Sequence, residues 1–316
     1  MSMRHHQADP TRRSTAPGST IPATRSPNLV NSLAEAVCAD QGTTADTEAQ
    51  RLEQAVLGLW LATPELSART GITAWQVAAL SLTAGAFAGF GLALPDVAVF
   101  VLSVLVAIPF LCVVGLRTIA VAEVLRIPSS WRSRTTSIAD DASLPRYSIL
   151  VPLFDEAAVL PRLLKALGSL DYPVDRLEIL LILESVDTEM RKSVSAIRLP
   201  AHFRVVVVPE RQPRTKPKAL NYALMESTGD FVVVFDAEDI PEPDQLRLAA
   251  TVFHQSGSDL ACIQACLNID EPDKGLLTRQ FTLEYSALFD ALLPALERLR
   301  LPIPLGGTSN HFRGIE

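Results

Sequence analysis

The chain has 316 residues, 48% of them hydrophobic, and carries a formal net charge of -7 at pH 7. This length is sufficient for two ordinary domains with a buried core. The acidic balance argues against a nucleic-acid partner, and the apolar content is high for a protein that lies wholly in water.

The N-terminal part of the sequence divides into two segments. Residues 1–45 are rich in Ser, Thr, Pro and Arg and lack apolar periodicity, which predicts a disordered tail without a signal peptide. Residues 46–72 have apolar side chains at helical spacing, which fits either a small packing element or a helix in a membrane interface. All four cysteines are predicted to be reduced thiols, because the spacing of Cys262 and Cys266 does not match a zinc site.

Residues 73–117 contain two uncharged apolar stretches, 74–94 and 97–116, joined by Pro-Asp. Each has about the twenty residues needed to cross the hydrocarbon core of a lipid bilayer as a helix. Arginines flank the outer ends and not the connector, so the positive-inside rule predicts a multi-pass hairpin of the inner membrane with both ends in the cytoplasm. The alternative is a pair of core helices in a soluble domain. Residues 118–145 are predicted to be a linker.

Residues 146–316 alternate between strand and helix patterns, which predicts an α/β domain with a mostly parallel sheet. Helices are expected after the first strand, from position 155, and over 276–299 as one long amphipathic element. The predicted strands are 147–153, 177–185, 203–210, 230–239 and 259–269.

The fourth predicted strand ends in three carboxylates, Asp236, Glu238 and Asp239. Ligands bind at the carboxyl ends of strands in open α/β sheets. Residues two apart in an extended chain point the same way, so Asp236 and Glu238 can face one point, and hard divalent cations take such oxygen ligands. The same residues also fit an acidic turn in water that caps the next helix.

A second informative stretch is "RTKPKALN", which places Lys216 and Lys218 on the first turn of a helix. The helix macrodipole disfavours cations at that end. A phosphate shared between the lysines and the free N–H groups would explain them. The alternative is a solvated basic turn.

Acidic residues also follow the first two strands, Asp155 and Glu156 after one and Glu184 and Asp187 after the other. Asp155 and Asp187 each precede a predicted helix, so each fits an N-cap as well as a ligand contact. Acidic side chains therefore recur at one edge of the predicted sheet.

Six motifs in order, "VPLFDEA", "LESVDTE", "TKPKALNYAL", "FDAEDIPEPDQL", "IQACLNI" and "GGTSNHFR", resemble those of the family 2 glycosyltransferases. The resemblance covers about residues 146–313 and is nearest to the processive, membrane-embedded branch that includes cellulose synthase. It implies a GT-A fold, a nucleotide-diphosphate sugar donor (usually a UDP-sugar), a glycan acceptor and a divalent metal, Mg²⁺ or Mn²⁺.

The resemblance also implies roles for individual residues. Asp236 matches the first aspartate of the family's DxD metal motif, Glu238 stands at the second, and Asp239 could substitute for Glu238. Asp236 and Glu238 would thereby act in catalysis, because a metal held there stabilises the leaving diphosphate.

The donor and acceptor contacts implied by the resemblance lie in the other motifs. Asp187 matches one of a pair of aspartates whose other member is Val186 here, unless Glu184 substitutes. The donor-binding residues are expected to be Glu156, Asp187, Lys216, Lys218 and Asp236, and the acceptor-side residues Asn310 and His311.

In this family the acceptor hydroxyl attacks with inversion, assisted by a base in a "TED"-like motif, and a "QxxRW" motif binds the acceptor. Neither motif occurs before Glu316, so we expect a truncated enzyme that binds donor and metal but catalyses poorly, unless Glu284 or Asp290 acts as base. Two other hypotheses remain. One is an inactive GT-A-like membrane protein that binds nucleotide-sugar or a partner, and the other is a nucleotidyltransferase, which would require a glycine-rich first turn that "VPLFDEA" lacks.

Overall fold

The computed structural model describes residues 44–67, 69, 71–126 and 140–314. Residues 1–43 of the predicted disordered tail (1–45) and 127–139 of the predicted linker (118–145) lie outside the described residues, whereas 44–45 and 118–126 are helical. The chain forms two compact units. The sheet unit comprises the described parts of Met1–Gly58, Ser129–Phe289 and Pro304–Glu316, and the apolar unit those of Leu59–Pro128 and Asp290–Ile303.

The sheet unit contains a six-stranded mixed sheet with strand order β3-β2-β1-β4-β6-β5. The first four of these strands are parallel, and β6 runs antiparallel between β4 and β5. The strands are β1 Tyr147–Leu153, β2 Leu177–Glu184, β3 Phe203–Val208, β4 Phe231–Val234, β5 Cys262–Gln264 and β6 Asn310–Arg313.

Helices cover the sheet, and short 3-10 turns occur at Pro64–Leu66, Asp141–Ser143 and Val174–Arg176. The α-helices are α1 Thr44–Ala62, α2 Ala74–Ala93, α3 Pro95–Arg126, α4 Leu160–Gly168, α5 Thr188–Ser195, α6 Lys216–Leu224, α7 Gln245–Gln255, α8 Leu276–Ser286 and α9 Leu293–Arg298. A π-helical segment, Ala287–Leu292, follows α8.

The sheet is buried on both faces, which explains the unbroken apolar runs of β1 and β2. Alternate residues of one strand enter different cores: Ile149 belongs to the core with α4 and α7, and Leu150 to the core with α6. Leu52 and Ala55 of α1 pack in this second core, and Asn221 of α6 donates a hydrogen bond to the carbonyl of Ala55 at 3.0 Å. The first part of α1 is therefore a packing element of the sheet unit.

The apolar unit contains α2 and α3, which are long and apolar enough to cross a membrane by length and composition. The share of each apolar window that is buried is 0% for α2 and 6% for α3. In the same unit Arg298 of α9 forms an ion pair with Glu123 of α3 at 3.2 Å. The helices expected over 74–94 and 97–116 are thus present, and α3 continues ten residues past Leu116 to Arg126.

Several element boundaries differ from the prediction. Helix α4 begins at Leu160 rather than 155, with Pro161 in its first turn and Asp155 in the left-handed region at φ 57°. Strand β4 ends at Val234, so the carboxylates lie in the turn beyond it. Strand β6 was not expected, and the single helix predicted over 276–299 is divided by the π-helical segment.

Candidate active site

The turn after β4 holds the three predicted carboxylates in different environments. Asp239 is directed into the protein, where its Oδ2 accepts hydrogen bonds from the backbone N–H of Asp236 at 2.8 Å and from the hydroxyl of Thr308. Burial raises the pKa of Asp239 above its usual range. Asp236 is half-buried and Glu238 is exposed. Asp239 therefore braces the turn, and its predicted role as a metal ligand is limited to its other oxygen.

Glu156 follows β1 and is near enough to Asp236 and Glu238 for their charges to act on it; these three residues are here called the carboxylate cluster. Burial, and then the negative charges of Glu238 and Asp236, raise the pKa of Glu156. Its Oε2 is shielded from solvent and has no hydrogen-bond partner within the described residues. A buried polar atom without a partner is costly, so this oxygen is suited to a ligand that brings a donor or a positive charge.

Lys216 is the first residue of α6, and its ammonium reaches this cluster. Its Nζ forms an ion pair with Asp236 Oδ1 and donates a hydrogen bond to the carbonyl of Gly307 at 2.9 Å. Gly307 belongs to the segment 306–309, here called the rim loop, which precedes β6. Lys216 thus joins α6, the β4 turn and the rim loop.

The prediction that Lys218 lies beside the diphosphate is wrong in this structure. Lys218 is 2% exposed, and its Nζ contacts Glu184 Oε2 at 2.9 Å and the carbonyl of Arg211 at 3.2 Å. Because this ion pair is buried, Lys218 attaches α6 to the end of β2 and does not face the carboxylate cluster. The same pairing removes Glu184 as a substitute for the aspartate missing at Val186.

Asp187 is the N-cap of α5, which is one of the two roles predicted for it. Its Oδ1 accepts a hydrogen bond from the N–H of Met190 at 2.9 Å, and its Oδ2 accepts one from the N–H of Asp155 at 2.7 Å. The alternative prediction that Asp155 caps a helix is wrong, since the N-cap of α4 is Val159. Asp187 therefore fixes the loop after β1 against the loop after β2.

The acceptor-side prediction for His311 is also wrong. Its side chain is fully buried, with Nδ1 2.6 Å from the hydroxyl of Tyr147 and Nε2 3.2 Å from Nε2 of Gln245. Both ring nitrogens are therefore used inside the core. His311 follows Asn310 on a strand, so the two side chains point to opposite faces of the sheet.

Asn310 points to the other face, together with a residue that the sequence analysis did not single out. Asn310 pairs with Gln264 of β5 and with Val234 of β4 in the sheet register. Its Nδ2 donates to the carbonyl of Gly306, while its Oδ1 and Gln264 Oε1 are buried and have no partner in the part of the chain that the structure describes. Two free amide oxygens thus lie beside the rim loop.

The rim loop is part of the "GGTSNHFR" motif, in which only Asn310 and His311 were assigned roles, and its attachment to the end of β4 was not predicted. Its hydrogen bonds attach it to the β4 end: Ser309 N–H donates to the carbonyl of Val234 at 2.7 Å, and Thr308 donates to Asp239. The signal in the sequence was the Gly-Gly pair. A Cβ on Gly306 would lie 2.9 Å from Gln264 Nε2, so a side chain there requires a rearrangement.

The two alternative base candidates are Glu284 and Asp290. Glu284 accepts a hydrogen bond from Gln280 one turn earlier on α8, at 3.2 Å. Asp290 belongs to the apolar unit. The general base stays a prediction.

The carboxylates of this site fit a divalent cation that is also coordinated by a substrate phosphate. The structure has no group of three or more metal-binding side chains within the described ranges. Mg²⁺ is usually held by one or two carboxylates together with water and substrate phosphates, so it requires no such cage. Asp236 and Glu238 supply two carboxylates, and Glu156 Oε2 is a nearby oxygen without a partner.

Comparison with known proteins identifies the family. Residues 145–303 match the family described as glycosyltransferase like family 2. The chain belongs to this family. It therefore carries a glycosyltransferase domain with a GT-A-like α/β fold and a mixed, mostly parallel sheet.

Individual relatives match only part of this chain. A probable glycosyltransferase, YdaM, of Bacillus subtilis is 35% identical over 31% of this chain and 24% of its own length. The cellulose synthase 1 catalytic subunit (UDP-forming) of Komagataeibacter xylinus is 28% identical over 41% of this chain and 17% of its own length. The chain therefore spans about a quarter or less of these relatives. A mannosyltransferase of Pyrobaculum calidifontis, solved with GDP-Man and Mn²⁺, has a TM-score of 0.46 at 22% identity, covering 66% of this chain and 55% of that one.

Proposed function

We propose that this chain is a membrane-bound inverting glycosyltransferase that transfers a sugar from a nucleotide-diphosphate sugar, of which a UDP-sugar is the first candidate, to a glycan acceptor. One observation carries the proposal: in a family 2 domain, Lys216 pairs with Asp236 just beyond β4, and the charges of Lys216, Asp236 and Glu238 act on Glu156 just beyond β1. The carboxyl ends of the strands are the ligand-binding edge of open α/β sheets.

In the proposed donor site, the acidic side chains and the basic side chain have different roles. Asp236 and Glu238 would hold a divalent cation, which supplies positive charge to the diphosphate oxygens when it is bound. Lys216 reaches the same place and would neutralise negative charge that develops on the leaving diphosphate. Glu156 stands beside them, and Asp187 keeps the loop that carries Glu156 fixed against the end of β2.

The sugar would lie beside the rim loop. The amide oxygens of Asn310 and Gln264 have no partner among the described residues, and the hydroxyl groups of a sugar are donors that suit them. Asn310 thus keeps its proposed contact with the donor or acceptor sugar, and Gln264 joins it.

The membrane part of the proposal rests on α2 and α3. A core helix of a soluble protein is covered by the rest of its chain, whereas the apolar windows of these helices are 0% and 6% buried. Helices of 20 and 32 residues reach across a hydrocarbon core of about 30 Å.

Nucleotide binding tests the proposal directly. Calorimetry of the full chain with UDP, and in parallel with GDP, should show binding that depends on Mn²⁺. We expect Asp236→Asn to weaken Mn²⁺-dependent binding by about tenfold or more, because one neutral ligand replaces a charged one. Asp259→Asn, a change at an exposed residue between α7 and β5, is the matched control.

Unchanged nucleotide binding in Asp236→Asn would contradict the assigned site. Transfer is tested separately, by incubating membranes that contain the chain with a panel of labelled nucleotide-sugars and following label into glycan. Binding without transfer from any sugar of the panel would favour the hypothesis of an inactive nucleotide-sugar-binding protein.

A further inference from the structure

Asp236 forms an ion pair with a basic side chain of the protein itself. The ammonium of Lys216 pairs with Asp236 Oδ1 and is also held by the carbonyl of Gly307. Lys216 stands at the N-terminus of α6, where the macrodipole disfavours a positive charge. The ion pair with Asp236 offsets that unfavourable location.

The positive charge of Lys216 acts on Glu156 as well as on Asp236. This charge lowers the pKa of Glu156, against the raising effects of burial, Glu238 and Asp236. Close carboxylates repel one another unless a positive charge lies among them. In this structure Lys216 supplies that charge.

We propose that Lys216 is an exchangeable counter-ion, which occupies Asp236 in the free protein and moves to the diphosphate when the nucleotide and the cation bind together. This inference rests on the proposed function. An ammonium and a divalent cation repel each other at one carboxylate, so binding of the cation at Asp236 favours the departure of Lys216 from Oδ1. A diphosphate gives Lys216 a new anionic partner, and the long flexible lysine side chain permits the move.

The Lys216–Asp236 pair is exposed enough to water for Lys216 to change partners. The side chain of Lys216 is 34% exposed and that of Asp236 is 30% exposed, whereas the Lys218–Glu184 pair is 1% and 8% exposed. A half-exposed ion pair contributes little to stability because water screens it. Lys216 can therefore change partners at a small cost, and Lys218 cannot.

Two consequences follow from the exchange. Cation and nucleotide bind with positive coupling, and the coupling is equal in both directions. In addition, Gly307 loses the hydrogen bond from Lys216, so the rim loop is released from α6 at the moment the donor binds.

The test compares Mn²⁺ binding with and without UDP in the full chain, by calorimetry and by electron paramagnetic resonance of free Mn²⁺. In the wild-type chain UDP should raise the affinity for Mn²⁺ by a factor within the usual range of about 5 to 150. In Lys216→Met the affinity for Mn²⁺ alone should rise about fivefold or more, and the effect of UDP should shrink by a similar factor. Lys165→Met changes an exposed lysine of α4 and should behave like the wild type.

The outcomes separate this inference from the proposed function. UDP-dependent Mn²⁺ binding in the wild type together with unchanged binding of Mn²⁺ alone in Lys216→Met would overturn the counter-ion role and leave the donor site standing. No Mn²⁺ binding by the wild type, with or without UDP, would overturn both. Hydrogen exchange supplies a second readout, since UDP with Mn²⁺ should accelerate exchange in residues 307–309 if the loop is released.

Discussion

At the scale of single residues, His311 shows how far a side chain can lie from its expected role. Its imidazole is enclosed by Tyr147, Phe235 and Gln245, and burial lowers its pKa from 6.5 to about 3. The folded protein therefore holds a neutral histidine over a pH range in which an unfolded chain would bind a proton.

This burial predicts a pH-dependent stability. Since the folded pKa is lowered, the stabilising contribution is complete above pH 6.5 and is lost as pH falls toward about 3. His311→Gln removes the titrating group, so the free energy of unfolding of the wild type should fall more steeply between pH 6 and 4, with a difference of about 1.4 kcal/mol per pH unit at most.

Urea unfolding of the full chain in detergent at several pH values measures the difference. His254→Gln, which replaces an exposed imidazole of α7, is the control for the loss of a histidine outside the core. Equal slopes for His311→Gln and the wild type would show that the imidazole is protonated in the folded state.

The two lysines of "RTKPKALN" illustrate what residue types alone cannot decide. The sequence predicted a basic pair beside a carboxylate cluster, and the cluster with Lys216 is present. Side chains two apart on a helix do not face each other, however, so a helix that directs Lys216 to the cluster directs Lys218 elsewhere. The helical periodicity shows that the two lysines point in different directions, but only tertiary packing determines which of them lies at the carboxylate cluster.

At the scale of elements, the strand ends were predictable and the insertion of β6 was not. Continuous apolar runs identified β1, β2 and β4, and the carboxyl ends of parallel strands meet at one edge of a sheet. The segment "GGTSNHFR" has the glycines and polar residues of a loop, yet its last part pairs antiparallel with β4. That pairing is non-local, and no short-range pattern in the sequence encodes it.

The attachment of α6 to β2 through Lys218 and Glu184 predicts a large effect on stability. Lys218→Met leaves the Glu184 carboxylate buried without its partner, which should lower the free energy of unfolding by about 3–5 kcal/mol. The double variant Glu184→Gln/Lys218→Met leaves no buried charge and should lose less. Thermal or urea unfolding of the two variants checks both values.

The control is Lys192→Met, which changes an exposed lysine of α5. If Lys218→Met were as stable as this control, the ammonium would not be needed to hold α6. In addition, a stable Lys218→Met variant with weaker UDP binding would return Lys218 to the donor site.

At the scale of the whole molecule, composition predicted the two kinds of segment, the apolar helices and the α/β region, better than it predicted where each begins and ends. The uncharged stretches became α2 and α3, and the alternating patterns became the sheet unit. Residues 290–303 group with α2 and α3, although their sequence continues an amphipathic helix of the sheet unit. Such grouping depends on contacts such as Arg298–Glu123, which join residues far apart in the chain.

The length of α3 leads to a prediction about topology. At about 1.5 Å per residue its 32 residues extend about 48 Å, well beyond a hydrocarbon core of about 30 Å. The charged residues Arg117, Glu123 and Arg126 all lie in its last ten residues, so that part should project into the cytoplasm if the hairpin spans the membrane. A phosphatase reporter fused after Leu94 should be active outside the cytoplasm, and one fused after Arg134 should be inactive. Activity of both fusions, or of neither, would contradict a hairpin, and activity of neither would return α2 and α3 to the alternative of a soluble helical pair.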